Sequence, residues 1–137
     1  MIAIHVPGKP IAKGRPRAAI RGGHVRMFTP ERTVAYEALI ALAGQDVMGP
    51  LEPLEGAVTL AIVATFAIPK SWSKAKKADA VAGKVWHTSR PDGDNILKAV
   101  GDGLNGVVWR DDSQIAHCSI SKRYGARPGL EIVVRTP

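Results

Sequence analysis

The 137-residue sequence is long enough to bury a proper core and of the size of one domain. Its 45% hydrophobic and 23% charged content fits a globular chain, and no apolar run approaches membrane-spanning length, so a membrane partner is not expected. The formal net charge of +7 favours an anionic partner, and the single cysteine excludes an intramolecular disulfide scaffold. With no charged lead and apolar signal core at the N-terminus, a reducing cytoplasm is the expected location.

Ile2-Ala3-Ile4-His5-Val6 reads as a first strand, in which His5 is a sheet residue with no partner histidine at metal-binding spacing. Pro7 to Arg17 carries too much Gly and Pro for regular structure. This loop gathers Lys9, Lys13, Arg15 and Arg17 with no acid to pair with them, a composition suited to phosphate contacts, against the plainer reading of a solvated arm. Ala18 to Phe28 suits a hairpin turning at Gly22-Gly23. Thr29-Pro30-Glu31 has the form of a helix start: Thr as N-cap, Pro at the first position, Glu in the first turn. Val34, Leu39, Ile40 and Leu42 give that helix an apolar stripe, and its end is expected near Gly44. Phe28 and Tyr36 read as core in preference to base-stacking residues.

Met48 to Gly56 is a Pro/Gly-rich connection. The β-branched run Ala57 to Ile68 lacks polar alternation and reads as a central strand. Lys70 to Gly83 mixes Lys and Ala, with Ser71 or Ser73 capping a short exposed helix, and Trp86 and His87 stand at the rim of the aspartate-rich stretch beyond Ser89. Ile115 to Tyr124 alternates into another strand, in which Cys118 is expected to be a small buried residue and Lys122 and Arg123 to face an anionic partner. Leu130 to Arg135 is the last strand. The order implies an α+β fold, one domain with a mixed sheet packed by helices.

Charge is unevenly spread. Residues 1–35 carry seven basic and one acidic side chain and residues 70–90 six and one, whereas residues 36–69 carry four acids and no base. Two basic segments flank an acidic centre, as a nuclease gripping phosphate around a metal requires; solubilising lysines are the bland alternative for the second.

The stretch Arg90 to Gln114 (RPDGDNILKAVGDGLNGVVWRDDSQ) holds five of the twelve carboxylates. Pro91 and Gly93 put Asp92 on a turn into a helix, and Asp94 is its N-cap or a first-turn residue. Asp94, Lys98 and Asp102 are spaced i, i+4, i+8 and share one face, with Ile96, Leu97 and Val100 largely on the other. Gly101, Gly103 and Gly106 weaken the helix near its end, and Val107-Val108-Trp109 reads as a short strand before the turn at Arg110-Asp111-Asp112. Taken singly, each aspartate is most simply a cap or turn residue. Taken together, they repel one another in a basic chain, and a divalent cation offsets that repulsion. Two decoys fail. The calcium loop needs ligands where Ile96, Leu97 and Gly103 stand, and the G-x-G-x-x-G of Gly101 to Gly106 follows a helix where the dinucleotide fingerprint precedes one.

The run D-G-D-N-I-L-K, then D-G-L-N-G-V-V-W and D-D-S-Q-I, resembles the RusA-type Holliday-junction resolvases, small dimeric Mg²⁺-dependent endonucleases of bacteria and their prophages. The likeness extends to G-K-P-I-A-K-G-R-P-R, F-T-P-E-R-T-V-A-Y-E and Lys122-Arg123-Tyr124. It implies that Asp92, Asp94 and one of Asp111/Asp112, with Asp112 favoured, hold Mg²⁺, and that Lys98 is the essential lysine. It further implies cleavage of four-way DNA junctions in recombination and repair by a homodimer, with Lys9, Lys13, Arg15, Arg17 and Lys122 on DNA. Asp102 either orients Lys98 or is a plain helix-face residue. Gly103 departs from the family pattern, where a larger residue is commoner, at a cost to the helix of about 1 kcal/mol relative to Ala. The competing functions are a non-catalytic basic DNA-binding module and a regulatory protein of a mobile element.

Overall fold

The β-branched run around Ile62 forms the spine of the fold. A computed structural model describes residues 1–11, 17–28 and 31–137. In it β4 (Val58–Ala67) is the long inner strand, parallel to β5 (Ile115–Gly125) on one side and antiparallel to β6 (Gly129–Arg135) on the other. β1 (Ile2–Pro7) pairs antiparallel with β6, completing a mixed sheet of order β1-β6-β4-β5. The two short strands β2 (Arg17–Arg21) and β3 (His24–Phe28) form a separate hairpin about Gly22-Gly23, as expected. Three helices complete the α+β architecture: α1 (Glu31–Met48), α2 (Lys74–Val81) and α3 (Gly93–Leu104). The predicted cap at Thr29-Pro30 lies outside the described residues, as do Lys13 and Arg15.

One face of the sheet supplies Ile4, Val6, Leu60, Ile62, Ile132 and Val134 to the core, where they meet Ile40 of α1 and Ile96, Val100 and Leu104 of α3. Each such fully buried aliphatic side chain contributes about 1.5–3 kcal/mol relative to exposure. The alternate residues Ala61 and Glu131 face away from this core and are exposed, giving the period of two along β4 and β6.

Three expectations are corrected. First, α1 does not end at Gly44 but runs to Met48, and Gly49, at φ +53°, stops it. Second, its buried face is Thr33, Tyr36, Ile40, Gly44 and Met48, whereas Val34, Leu39 and Leu42 are 53%, 52% and 59% exposed. The choice of face follows from the crossing with α3. An ideal Cβ at Gly103 would stand 2.8 Å from Ile40 Cβ, and one at Gly44 would stand 2.7 Å from Leu104 Cδ2, so the two glycines let the helices approach. Gly103 is therefore less a weakness of α3 than the surface on which α1 sits. Third, Val107-Val108-Trp109 is not a strand. The amides of Val107 and Val108 both donate to Leu104 O at 3.0 Å, wrapping the chain into a turn, and Trp109 makes only single-residue bridges to Leu54 and Asn105.

Candidate active site

Helix α3 carries the first acids. Asp92, reached through a cis Arg90-Pro91 bond, is its N-cap, with extended backbone at φ −71° and ψ 149°, yet its side chain makes no cap hydrogen bond. Asp94 follows in the first turn, where a negative charge suits the amide end of the helix. Lys98 and Asp102 come one and two turns later on the same exposed side, while Ile96, Ala99, Val100 and Gly103 are buried on the other. The i, i+4, i+8 face read from the sequence is present, with Leu97 half-buried at its margin.

The second group of acids lies on the turn between α3 and β5, and the two neighbours there differ in environment. Asp111 heads a short 3-10 turn, Asp112–Gln114, and accepts from Ser113 N at 3.0 Å in a reciprocal capping box with Gln114. Hydrogen bonds from the Ser113 side chain and then its backbone hold the Asp111 carboxyl below the ordinary carboxylate range. Asp112 is half-buried, and its Oδ1 accepts from Trp109 Nε1 at 2.9 Å. Trp109 itself is fully buried. Gln114 fastens the whole turn. Its Oε1 accepts from the amides of Arg110 and Asp111 at 2.8 and 2.9 Å, and its Nε2 donates to Leu54 O and Gly56 O, both at 2.8 Å, tying the turn to the entry of β4.

These two pieces meet across an open cleft of about 520 Å³, with Lys98, Asp102 and Asp112 on its walls. Leu97 and Ile115 add apolar wall. Cys118 also opens onto this cleft and is exposed, correcting the expectation that it is buried: β5 is the edge strand of the four-stranded sheet and leaves this part uncovered. Asp92 and Asp94 stand at the head of the same helix, beyond the cleft walls. Among the described residues, no three His, Cys, Asp or Glu side chains are grouped so as to hold a metal ion by themselves. The donors are nonetheless all hard oxygens, and Mg²⁺ is usually held by one or two carboxylates with waters and substrate phosphates in place of a complete protein cage. The residues therefore suit a cation that arrives with, or is completed by, a phosphate ligand.

The rim is basic and aromatic. Lys122 lies on β5, and its Nζ donates to Ser89 O at 2.7 Å, while His87 N donates to Lys122 O at 3.1 Å. Lys122 thus tethers the segment that delivers Asp92. His87 stacks on Phe66 with centroids 3.6 Å apart. Burial, then the positive charges of Lys122 and Lys9, lower its pKa, so Lys9 and Lys122 bear on one spot. Trp86 is 52% exposed beneath the Arg123 guanidinium at 4.5 Å, and Lys76 of α2 lies over Trp72 at 3.9 Å. Ser73 caps α2 as one of the two expected serines, accepting from Lys76 N. Arg17 opens β2 opposite Phe28.

Sequence reasoning missed the parts played by Trp109 and Gln114. The signal for Gln114 was its place three residues after Asp111, the spacing of a capping box. Trp109, three residues before Asp112, carries a donor that must find a partner once buried.

Residues 7–135 match the family model described as Endodeoxyribonuclease RusA. The chain is also 36% identical over 136 residues to the uncharacterized protein YqaN of Bacillus subtilis (strain 168), covering 98% of this chain and 95% of that protein.

Proposed function

The chain belongs to the RusA endodeoxyribonuclease family, and we propose on that footing that it is a Mg²⁺-dependent, structure-selective endonuclease that resolves four-way DNA junctions. What supports this reading most is the cleft in which Asp112, from the turn before β5, and Lys98, from α3, line one space beside Asp102. Asp92, Asp94 and Asp112 are the proposed ligands, with the scissile phosphate completing a site that the side chains alone leave open. When bound, Mg²⁺ would neutralise charge on that phosphate and acidify a water near neutral pH. Asp112 is preferred to Asp111 because Asp112 lines the cleft, whereas Asp111 is engaged by Ser113 and does not line it. Lys98, one turn from Asp94, opposes charge that grows on the phosphoryl oxygens as the bond breaks.

Lys9, Lys13, Arg15, Arg17 and Lys122 are proposed to hold DNA through phosphate, and Lys122 also steadies the Ser89 segment beside Asp92. The active form is proposed to be a homodimer, since paired nicks in a two-fold junction need two sites. The outer face of α1 favours this: Val34, Leu39 and Leu42 expose apolar surface on a helix whose other side is already buried.

The test is a time course on a four-way junction, a fork and a plain duplex, in Mg²⁺ and in EDTA. Asp92→Asn and Asp94→Asn should abolish cleavage in Mg²⁺ while leaving junction binding in EDTA intact or slightly tighter. Variants that cut at near wild-type rate would mean that the chemistry lies elsewhere and that these acids are not the metal ligands.

A further inference from the structure

The hydrogen bond from Trp109 to Asp112 is more than the satisfaction of a buried donor. Trp109 has no exposed surface, and its backbone is fixed on both sides: Gly106 N donates to Trp109 O at 2.8 Å, and Leu54 N donates to the preceding Val108 O at 2.7 Å. The indole N–H can only donate, so its direction requires an acceptor at Asp112 Oδ1 and holds that oxygen 2.9 Å away. The whole carboxylate lies over α3 at Gly101, where an ideal Cβ would stand 3.6 Å from Asp112 Oδ2 and 3.7 Å from Oδ1 and Cγ. Gly101 and Asp112 share the wall of the cleft. One carboxylate oxygen is thereby engaged by Trp109, which leaves Oδ2 as the oxygen to offer a ligand in the cleft.

We propose that Trp109 is a positioning residue: it fixes the rotamer of Asp112 and presents Oδ2 to the divalent cation. The inference rests on the reading of Asp112 as a metal ligand. Groups that hydrogen-bond to metal-ligating side chains set their orientation, and losing one typically weakens metal affinity or activity about ten- to a hundredfold. A Trp kept only for core volume would not act in this way, because Phe supplies most of that volume.

The experiment compares wild type, Trp109→Phe and Asp112→Asn, with Mn²⁺ as the probe metal. Calorimetric titration with Mn²⁺ should give about ten- to a hundredfold weaker binding to Trp109→Phe. The Mg²⁺ concentration for half-maximal junction cleavage should rise by a similar factor, with the rate at saturating Mg²⁺ largely recovered. In the ¹⁵N-indole spectrum of the wild-type protein, with three tryptophans, substoichiometric Mn²⁺ should selectively broaden the cross-peak that Trp109→Phe lacks. Asp112→Asn should abolish that broadening. Unchanged Mn²⁺ affinity and Mg²⁺ midpoint in Trp109→Phe, even with a lowered melting temperature, would overturn the proposal and leave Trp109 as packing alone. Should Trp109→Phe fail to fold, the wild-type spectrum decides, with the Trp109 peak identified by its response to Asp112→Asn: its indifference to Mn²⁺ overturns the proposal. Failure of the wild-type protein to cleave any junction would instead sink the nuclease reading itself, and full activity in Asp112→Asn the reading of Asp112 as a metal ligand.

Discussion

Replacing Gly103 by Ala separates helix propensity from packing, because Gly101 on the same helix provides the control. In a helix interior, Ala is favoured over Gly by about 1 kcal/mol. At Gly101 that gain meets little resistance, since the added Cβ would sit 3.6 Å from the Asp112 carboxylate, an ordinary contact. At Gly103 the Cβ would stand 2.8 Å from both Ile40 Cβ and Cγ2 and 3.1 Å from Glu37 O, inside the roughly 3.5–4.0 Å at which carbon atoms pack. Ile40 Cβ is fixed to the backbone of α1, so relief requires the helices to part. Overpacking of this kind costs about 1–3 kcal/mol, which exceeds the propensity gain. Gly101→Ala should therefore be neutral or stabilising by up to about 1 kcal/mol, and Gly103→Ala destabilising by about 1 kcal/mol, a gap of about 1–3 kcal/mol. Urea denaturation followed by far-UV circular dichroism reads this directly, with the m-value unchanged between variants. Equal stability of the two alanine variants, or a more stable Gly103→Ala, would refute the close crossing of α1 and α3.

Gln114→Ala removes four hydrogen bonds, two within the Asp111–Asp112 turn and two that tie it to the entry of β4, and should cost about 2 kcal/mol in urea denaturation and most of the cleavage rate. A loss of stability without loss of rate would show that the turn does not need this anchor. The folded-state pKa of His87 lies below its unfolded value, so the unfolded chain binds the proton more readily; stability is complete above about pH 6.5 and falls as pH drops below it through the folded value. His87→Phe, which keeps the stack on Phe66, should flatten that part of the pH–stability curve, and an unchanged curve would assign the dependence to another group. Leu42→Glu, on the exposed face of α1, should leave the fold within about 0.5 kcal/mol but dissociate the dimer; light scattering at the 14.6 kDa monomer mass for the wild-type protein would remove the dimer from the proposal.

How far the fold could be read from the sequence depended on whether a segment's own pattern or its partner decided its state. β4 was legible because a ten-residue β-branched run has few alternatives, and the charged face of α3 because a spacing of four survives any packing. α1 was misread because apolar residues surround it on most sides. The buried side includes Gly44, whose value lies in the close approach of Leu104. Val107 and Val108 favour strand by propensity, but no neighbouring strand is available, and α3 claims their amides. Cys118 reads as core in an inner strand and is exposed because β5 is an edge. At the candidate site, the acids could be named because residue type and spacing carry that signal. Their division of labour could not, since it depends on Trp109 and Gln114 reaching them through the fold.

That division bears on the simplest objection to a functional site, that aspartates near helix starts and turns are there to cap them. Capping is a geometric act: the side-chain oxygen must accept from an amide two or three residues on. Asp111 does this, accepting from Ser113 N, and Gln114 completes the box. Asp112, next in the chain, does not take that role; its Oδ1 is turned to Trp109 and its carboxylate to the cleft shared with Lys98. Asp92 occupies the N-cap position of α3 with the extended backbone of a cap, yet its side chain accepts no cap hydrogen bond. Of Asp92, Asp111 and Asp112, only Asp111 caps, whereas the segments around the other two are held by neighbours: Lys122 on Ser89 before Asp92, and Gln114 and Trp109 around Asp112. Asp102 and Asp112 share the cleft walls, where like charges repel, and a cation bound with a phosphate would offset that repulsion. The same balance explains why the chain surrounds this acidic stretch with lysine and arginine. On the proposed reading their charge would draw in the polyanion, and the aspartates would act on it only with a divalent ion between them.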